Sequence, residues 1–337
     1  MRYLFSRNFL YAVILVRAGY CHSDRSDPVF FRRPVYGRRV AQWRNRSSIF
    51  CAEMTFVDAK TRISKRFAEL RASGELGIIA YITAGDPALD ATLKFVLALA
   101  EAGADIIELG IPFSDPLADG PTIQRASERA LKAGTTLASV IDLVRRIRQS
   151  KSPASEVPLI LFGYYNPIFQ MGLEKFAAAS SAAGADGVLV TDLTPEESVD
   201  YRRILAAHHL DTVFLGAPTS TDERLSTIAA VTTGFLYLIS RTGVTGAKDS
   251  LPDELPALVR RARAVTNLPI AVGFGISLPG HVSVLGGLAD AAVIGSALVA
   301  EIENASSLDA AAAALAARIR PLKEAARHGL SRREVAL

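Results

Sequence analysis

From Gly77 to Ile294 the chain alternates between two patterns. Short apolar runs rich in Ile and Val are each followed by a longer stretch with helical spacing. The runs are Ile78–Ile82, Asp105–Leu109, Leu159–Phe162, Gly187–Val190, Val213–Leu215, Phe235–Ile239, Ile270–Phe274 and Ala291–Ile294. Short, near-continuous apolar runs predict strands buried on both faces. Between them, Leu89, Leu93, Val96, Leu97 and Ala100 repeat at helical intervals. So do Leu137, Val140, Ile141, Val144 and Ile147. Further helices are predicted near 173–183, 196–207, 222–231, 253–265, 280–286, 297–303 and 308–327. Strands alternating with helices imply parallel pairing through right-handed crossovers. Eight such strands predict a single α/β domain, a closed (β/α)8 TIM barrel. An open doubly wound sheet is the alternative. It usually carries G-x-G-x-x-G after its first strand, where this chain has Thr83-Ala-Gly-Asp-Pro87.

Composition sharpens this picture at one end of the chain. The 337 residues are half apolar and 21% charged, which excludes a disordered or collagenous chain. No apolar stretch is long enough to predict a membrane-spanning bundle. The formal charge of +4 is unevenly placed. Residues 1–53 hold ten Arg and no Lys against two Asp and one Glu, so 54–337 are mildly acidic. Cys21, Cys51 and Trp43 also lie in 1–53, leaving the remainder without a cysteine. The remainder therefore has no thiol catalyst, disulfide or Cys-ligated metal. Residues 1–53 are read as an extension without fixed structure, and 54–337 as the catalytic barrel. Translation from a start upstream of Met54 is the favoured origin of the extension. A targeting peptide is the main alternative, with a secretory signal or a basic nucleic-acid arm behind it.

In a barrel of this kind, chemistry sits at the C-terminal ends of the strands. The second strand carries Glu108, a carboxylate inside an apolar run, which is costly to bury unpaired. The loop after it, Gly110 to Thr122, holds three Pro and two Asp, Asp115 and Asp119. Glu108 and Asp119 could face one cavity and divide acid and base roles. Asp beside Pro and Gly is also an ordinary turn residue. The sixth, seventh and eighth strands end in Gly-rich turns. These are Ser240 to Gly246, Gly273 to Ser277, and Gly295-Ser296 at the start of a helix. Three such ends side by side point to a phosphate cradle of backbone N–H groups. Tight turns alone would also use glycine. Tyr164, Tyr165, Asn166 and Tyr237 could line the cavity or fill the core. His22, His208, His209, His281 and His328 show no metal-ligand spacing.

These segments resemble the tryptophan synthase alpha chain family. The 17-residue run Glu108-Leu-Gly-Ile-Pro-Phe-Ser-Asp-Pro-Leu-Ala-Asp-Gly-Pro-Thr-Ile-Gln124 is similar to its signature. Tyr237 to Gly246, Gly273 to Ser277, Gly295-Ser296, Thr83 to Pro87 and Tyr164 to Pro167 also match. The resemblance spans about 54–337. It implies a lyase of tryptophan biosynthesis that splits indole-3-glycerol phosphate into indole and glyceraldehyde 3-phosphate. It implies catalytic roles for Glu108 and Asp119, and substrate contacts by Tyr164, Tyr237 and the mobile-loop residue Thr245. Phosphate would be held at Gly246, Phe274, Gly275, Gly295 and Ser296. Asp115 would meet a beta chain in an alpha2-beta2 heterotetramer that receives the indole. No metal or cofactor is implied in this chain; pyridoxal phosphate belongs to the partner. A cytoplasmic enzyme without nucleic-acid or membrane partners is expected, or an organellar one if 1–53 is a transit peptide. Position 81 is Tyr, where some members carry Phe.

Overall fold

The computed structural model describes residues 61–240, 251–273 and 275–327. The expected 1–53 extension lies outside them. The apolar runs form parallel strands β1 (Gly77–Thr83), β2 (Ile106–Gly110), β3 (Leu159–Gly163), β4 (Gly187–Val190), β5 (Asp211–Val213), β6 (Leu215–Gly216), β7 (Leu236–Ile239), β8 (Ile270–Gly273) and β9 (Ala291–Ile294). The helices that position the site are α1 (Arg62–Ser73), α2 (Leu89–Glu101), α3 (Pro121–Lys132), α4 (Leu137–Arg148), α5 (Tyr165–Met171), α6 (Leu173–Ala183), α7 (Val199–Ala207), α8 (Asp222–Val231), α9 (Leu255–Val265), α10 (Pro279–Leu285), α11 (Ser296–Asn304) and α12 (Leu308–Arg327).

The sheet runs β5-β4-β3-β2-β1-β9-β8-β7-β6. Its two edges, β5 and β6, are consecutive pieces of one strand, separated only by Phe214. The fifth expected strand is thus split in two, and this split strand closes the barrel. Across the seam, Tyr237 N–H donates to the Phe214 carbonyl at 3.2 Å and Thr233 N–H to the Thr212 carbonyl at 2.9 Å. Closure leaves no exposed edge.

Alternate residues along each strand face opposite sides. Ile78, Ala80, Ile82, Ile107, Leu109, Leu161, Leu238 and Val272 pack outward against the helices. Ile79, Tyr81, Ile106, Ile160, Phe162, Leu189, Phe235, Tyr237 and Val293 fill the interior. Helix α1, which the repeating pattern does not predict, joins that inner cluster with Ile63, Phe67 and Leu70 at i, i+4 and i+7. The Phe67 and Phe235 rings lie 5.6 Å apart. The helix is capped by the Thr61 hydroxyl, which accepts from Ser64 N–H at 3.2 Å and donates to Asp211 at 2.6 Å. Gly74 ends it at φ 71°, a left-handed conformation suited to glycine.

Three aspartates set the register where strands begin. Asp105 Oδ2 accepts from Ile78 N–H at 2.6 Å, and Asp105 N–H donates to the Ile78 carbonyl at 2.8 Å. Asp186 does the same to Leu159, at 2.7 and 2.9 Å. Asp290 does so to Ile270, at 2.7 and 2.8 Å. Each is charge-paired: Asp105 with Arg66 and Lys323, Asp186 with Arg62 and Arg148, and Asp290 with Arg263. Parallel strands built only of apolar residues could slip. A two-point clasp in each of these three βαβ units opposes it, with the charge satisfied locally.

Asp186→Ala should lower stability by about 3 kcal/mol in urea unfolding, because it leaves the largely buried Arg148 with backbone carbonyls in place of its carboxylate and removes the acceptor of the Leu159 N–H. Asp186 lies at the N-terminal end of its strand, so turnover per folded molecule should be unchanged.

Candidate active site

At the C-terminal end of the barrel lies a cavity of about 220 Å³. Its wall includes Tyr81, Glu108, Asp119, Phe162, Tyr237 and Ser296. The inward parity of each strand supplies Tyr81, Glu108, Phe162, Tyr237 and Val293. Helix α3 supplies Thr122 and Ile123, and α11 supplies Ser296, Ala297 and Ala300.

Glu108 is fully buried, and neither carboxyl oxygen has a hydrogen-bond partner among the described residues. Its strand neighbours in register are Tyr81 and Ile160. Without a cation or donor to stabilise the anion, burial alone pushes the carboxyl pKa up to about 8. Asp119 differs. It sits in the loop before α3, where its N–H donates to the Pro116 carbonyl at 3.0 Å and its carbonyl accepts from Gln124 Nε2 at 2.8 Å. Burial raises its pKa to about 6, opposed by a 3.0 Å hydrogen bond from the Tyr164 hydroxyl. That hydroxyl also accepts from Ala118 N–H at 3.0 Å. Tyr164 is thus placed behind Asp119, holding it, and does not reach the cavity wall. Tyr165 packs away from the cavity, against Phe169 and Tyr201.

Opposite the carboxyl groups, Gly295 precedes α11. The Leu298 and Val299 N–H groups turn back to the Gly295 carbonyl. The N–H groups of Ser296 and Ala297 have no carbonyl one turn earlier within the helix, and its first turn holds no acid. Such a helix start suits an anion. Gly275 also lines the cavity, at φ 89°. Thr245, Gly246 and Phe274 lie outside the described residues.

The two helical walls are tied together. Arg129 on α3 makes a two-pronged contact with the buried Asp86 after β1, 2.8 Å on each side. It also donates to Glu303 on α11 at 2.8 Å, and Arg125 grips Glu303 at 2.7 Å. This network holds the Asp119 wall and the anion wall at one spacing. Asp115 lies apart, exposed on the loop with Leu117 and hydrogen-bonded to Ser114 at 2.5 Å. No group of three or more His, Cys, Asp or Glu side chains placed to hold a metal occurs among the described residues.

Sequence reasoning missed Phe162, Thr122, Ile123, Val293, Ala297 and Ala300. Two signals could have found some of them. Tyr81 and Phe162 share Glu108's facing in adjacent strands, and Ser296 and Ala300 are one helical turn apart.

The tryptophan synthase alpha chain family model matches residues 67–327. The tryptophan synthase alpha chain of Solibacter usitatus is 54% identical over 248 residues, 73% of this chain and 91% of that protein. That of Chloroflexus aurantiacus is 48% identical over 79% of this chain and 98% of its own length. A tryptophan synthase structure from Mycobacterium tuberculosis superposes with TM-score 0.72 at 35% identity, covering 79% of this chain and 98% of that one. The alpha subunit from Legionella pneumophila gives 0.72 at 38% identity, with the same coverage.

The unpartnered Glu108 gives a signed stability prediction. The unfolded chain releases this proton near pH 4.5, the folded chain near 8. Between these values the folded state binds more protons, so stability falls as pH rises, by at most about 1.4 kcal/mol per unit. Glu108→Gln removes this contribution. Urea unfolding should show the variant gaining on the parent steadily from pH 5 to 8. A gap that stays constant with pH would count against a carboxyl kept neutral by burial.

Proposed function

The chain belongs to the tryptophan synthase alpha chain family, and on that premise we propose how its residues divide the work. The reaction is the cleavage of indole-3-glycerol phosphate to indole and glyceraldehyde 3-phosphate, a carbon–carbon lyase step of tryptophan biosynthesis. The observation that carries the assignment is Glu108, buried without a partner in the cavity that Asp119 also lines.

Indole is a poor leaving group until its C3 carbon is protonated. Glu108, neutral below about pH 8, gives its proton to C3. The ring then carries positive charge, which Asp119, ionised above about pH 6, stabilises from the indole N–H side. The bond between C3 and the carbinol carbon breaks, and its electron pair returns to the ring. The carbinol hydroxyl becomes the aldehyde, and its proton goes to the Glu108 carboxylate. Glu108 thus ends as it began, and atoms and charge balance. Burial sets the acid and a tyrosine hydrogen bond sets the anion, so both forms coexist between about pH 6 and 8.

Ser296, Gly295 and Gly275 line the cavity where the phosphate sits in this reading, with Gly246 and Phe274 completing the cradle. The phosphate anchor lets binding energy align the reacting bond. Tyr237 flanks the substrate on the wall, and Tyr164 acts through Asp119. Thr245 is assigned a substrate contact in the same reading. None of these steps uses a metal or cofactor from this chain. The family implies a beta-chain partner. The loop carrying Asp115 and the exposed Leu117 is the surface proposed to meet it, in an alpha2-beta2 assembly whose beta chains carry pyridoxal phosphate and take up the indole. The bacterial relatives fit a cytoplasmic enzyme.

The dependence of kcat/KM on pH should be a bell with limbs near 6 and 8. Glu108→Gln should lower kcat by about 10³-fold with substrate affinity kept within a few fold. Turnover near the parental rate in that variant would remove Glu108 from the chemistry.

A further inference from the structure

Two tyrosines stand beyond Glu108 toward the mouth of the barrel, each filling a space left by a glycine on the next strand. Glu108 and Gly110 lie on the same face of β2, two residues apart. A Cβ at Gly110 would fall 2.2 Å from the Tyr81 hydroxyl oxygen. A Cβ at Gly273 on β8 would fall 2.3 Å from the Tyr237 hydroxyl. The phenols therefore occupy the places that side chains at 110 and 273 would take.

Tyr81 is held there from two directions. In register, Gly110 lies between Thr83 of β1 and Phe162 of β3. The Phe162 ring meets Tyr81 edge-on across this bare position, with centroids 5.1 Å apart. The hydroxyl thus projects over β2 at a fixed point, beyond Glu108, in a ring that lines the cavity. Burial, with the charges of Asp119 and Glu108, pushes the phenol pKa well above its ordinary value against an opposing interaction with the Thr83 side chain, so it stays a donor. A phenylalanine would make the same edge contact with Phe162. Packing therefore does not account for the hydroxyl that this ring carries at the reacting end of the cavity.

We propose that Tyr81 is a further substrate-contacting residue, its hydroxyl donating a hydrogen bond to the glycerol chain beside Glu108 and so selecting ligands that carry those hydroxyls. The proposal rests on the reading of the cavity given above. It concerns a property of this chain's own residue at position 81. Tyr81 stands between the indole side of the cavity, where the Asp119 charge acts on its hydroxyl, and the anion side, where a Cβ at Gly295 would lie 3.6 Å from its own Cβ. A three-carbon polyol bridging those sides presents its hydroxyls to that space. Tyr81 contributes to recognition through its oxygen and to the wall through its ring. Tyr81→Phe separates these roles, because it deletes the oxygen and keeps the ring.

The test measures binding in the Glu108→Gln background, where turnover does not interfere. Two ligands are compared: indole-3-glycerol phosphate, and a probe with the same indole and phosphate joined by a plain propyl chain. Adding Tyr81→Phe should weaken the glycerol ligand about tenfold and leave the propyl probe within about twofold. Equal weakening of both ligands would overturn the proposal, because it would mean that the wall itself had changed. No weakening of either would overturn it too, since the hydroxyl would then contact nothing that matters. Failure of the functional reading looks different: the unmodified chain would not cleave indole-3-glycerol phosphate, with or without a Tyr81 hydroxyl.

Discussion

A carboxyl group buried inside a barrel must find a cation, find donors, or keep its proton. Among the described residues Glu108 has neither cation nor donor, and so it keeps its proton up to about pH 8. The proposed chemistry depends on that constraint. The same group, exposed, would be ionised at neutral pH and could not act as an acid. Asp119, tethered by the Tyr164 hydroxyl at 3.0 Å, is the counter-case, a carboxyl eased back toward its anion. The difference arises from surroundings and not from residue type, and it costs stability that the rest of the barrel must supply.

That supply is concentrated at the opposite end. Asp105, Asp186 and Asp290 carry their charges at strand starts, where each is met by a cation and by the backbone of its neighbour. The Asp105 clasp pins the register that sets Tyr81 beside Glu108. Helix α1 fills the interior beside them with Phe67 and Leu70. Charges at this end are paired and stabilising, whereas the key charge site at the other end is unpaired and reactive. The Arg129 network with Asp86 and Glu303 lies between these roles, spending paired charges on the spacing of the two cavity walls.

Much of this was legible in the sequence. The strand and helix alternation is strong because each strand is apolar on both faces. Glu108 stood out because it breaks such a run. The same continuity hid which residues face inward, since no polar alternation marks the parity; Glu108 gives one polar mark of it, and Tyr81 and Phe162 share its facing. The break at Phe214 was invisible because both pieces read as one short strand. Helix α5 was not predicted because Asn166-Pro167 reads as a loop, although proline is tolerated in a first helical turn. Tyr164 was expected beside the substrate. Its hydrogen bond to Asp119 depends on where the Asp119 loop folds back, which no local pattern encodes. Thr245, Gly246 and Phe274 lie outside the described residues.

The account stands or falls on the protonation state of one side chain. Selective 13C labelling of glutamate, with Glu108→Gln used for assignment, gives the Glu108 carboxyl shift as a function of pH. A neutral carboxyl at pH 7 that titrates with a midpoint near 8 is the predicted result. An ionised Glu108 at pH 7, with its midpoint at the ordinary value near 4.5, would contradict it.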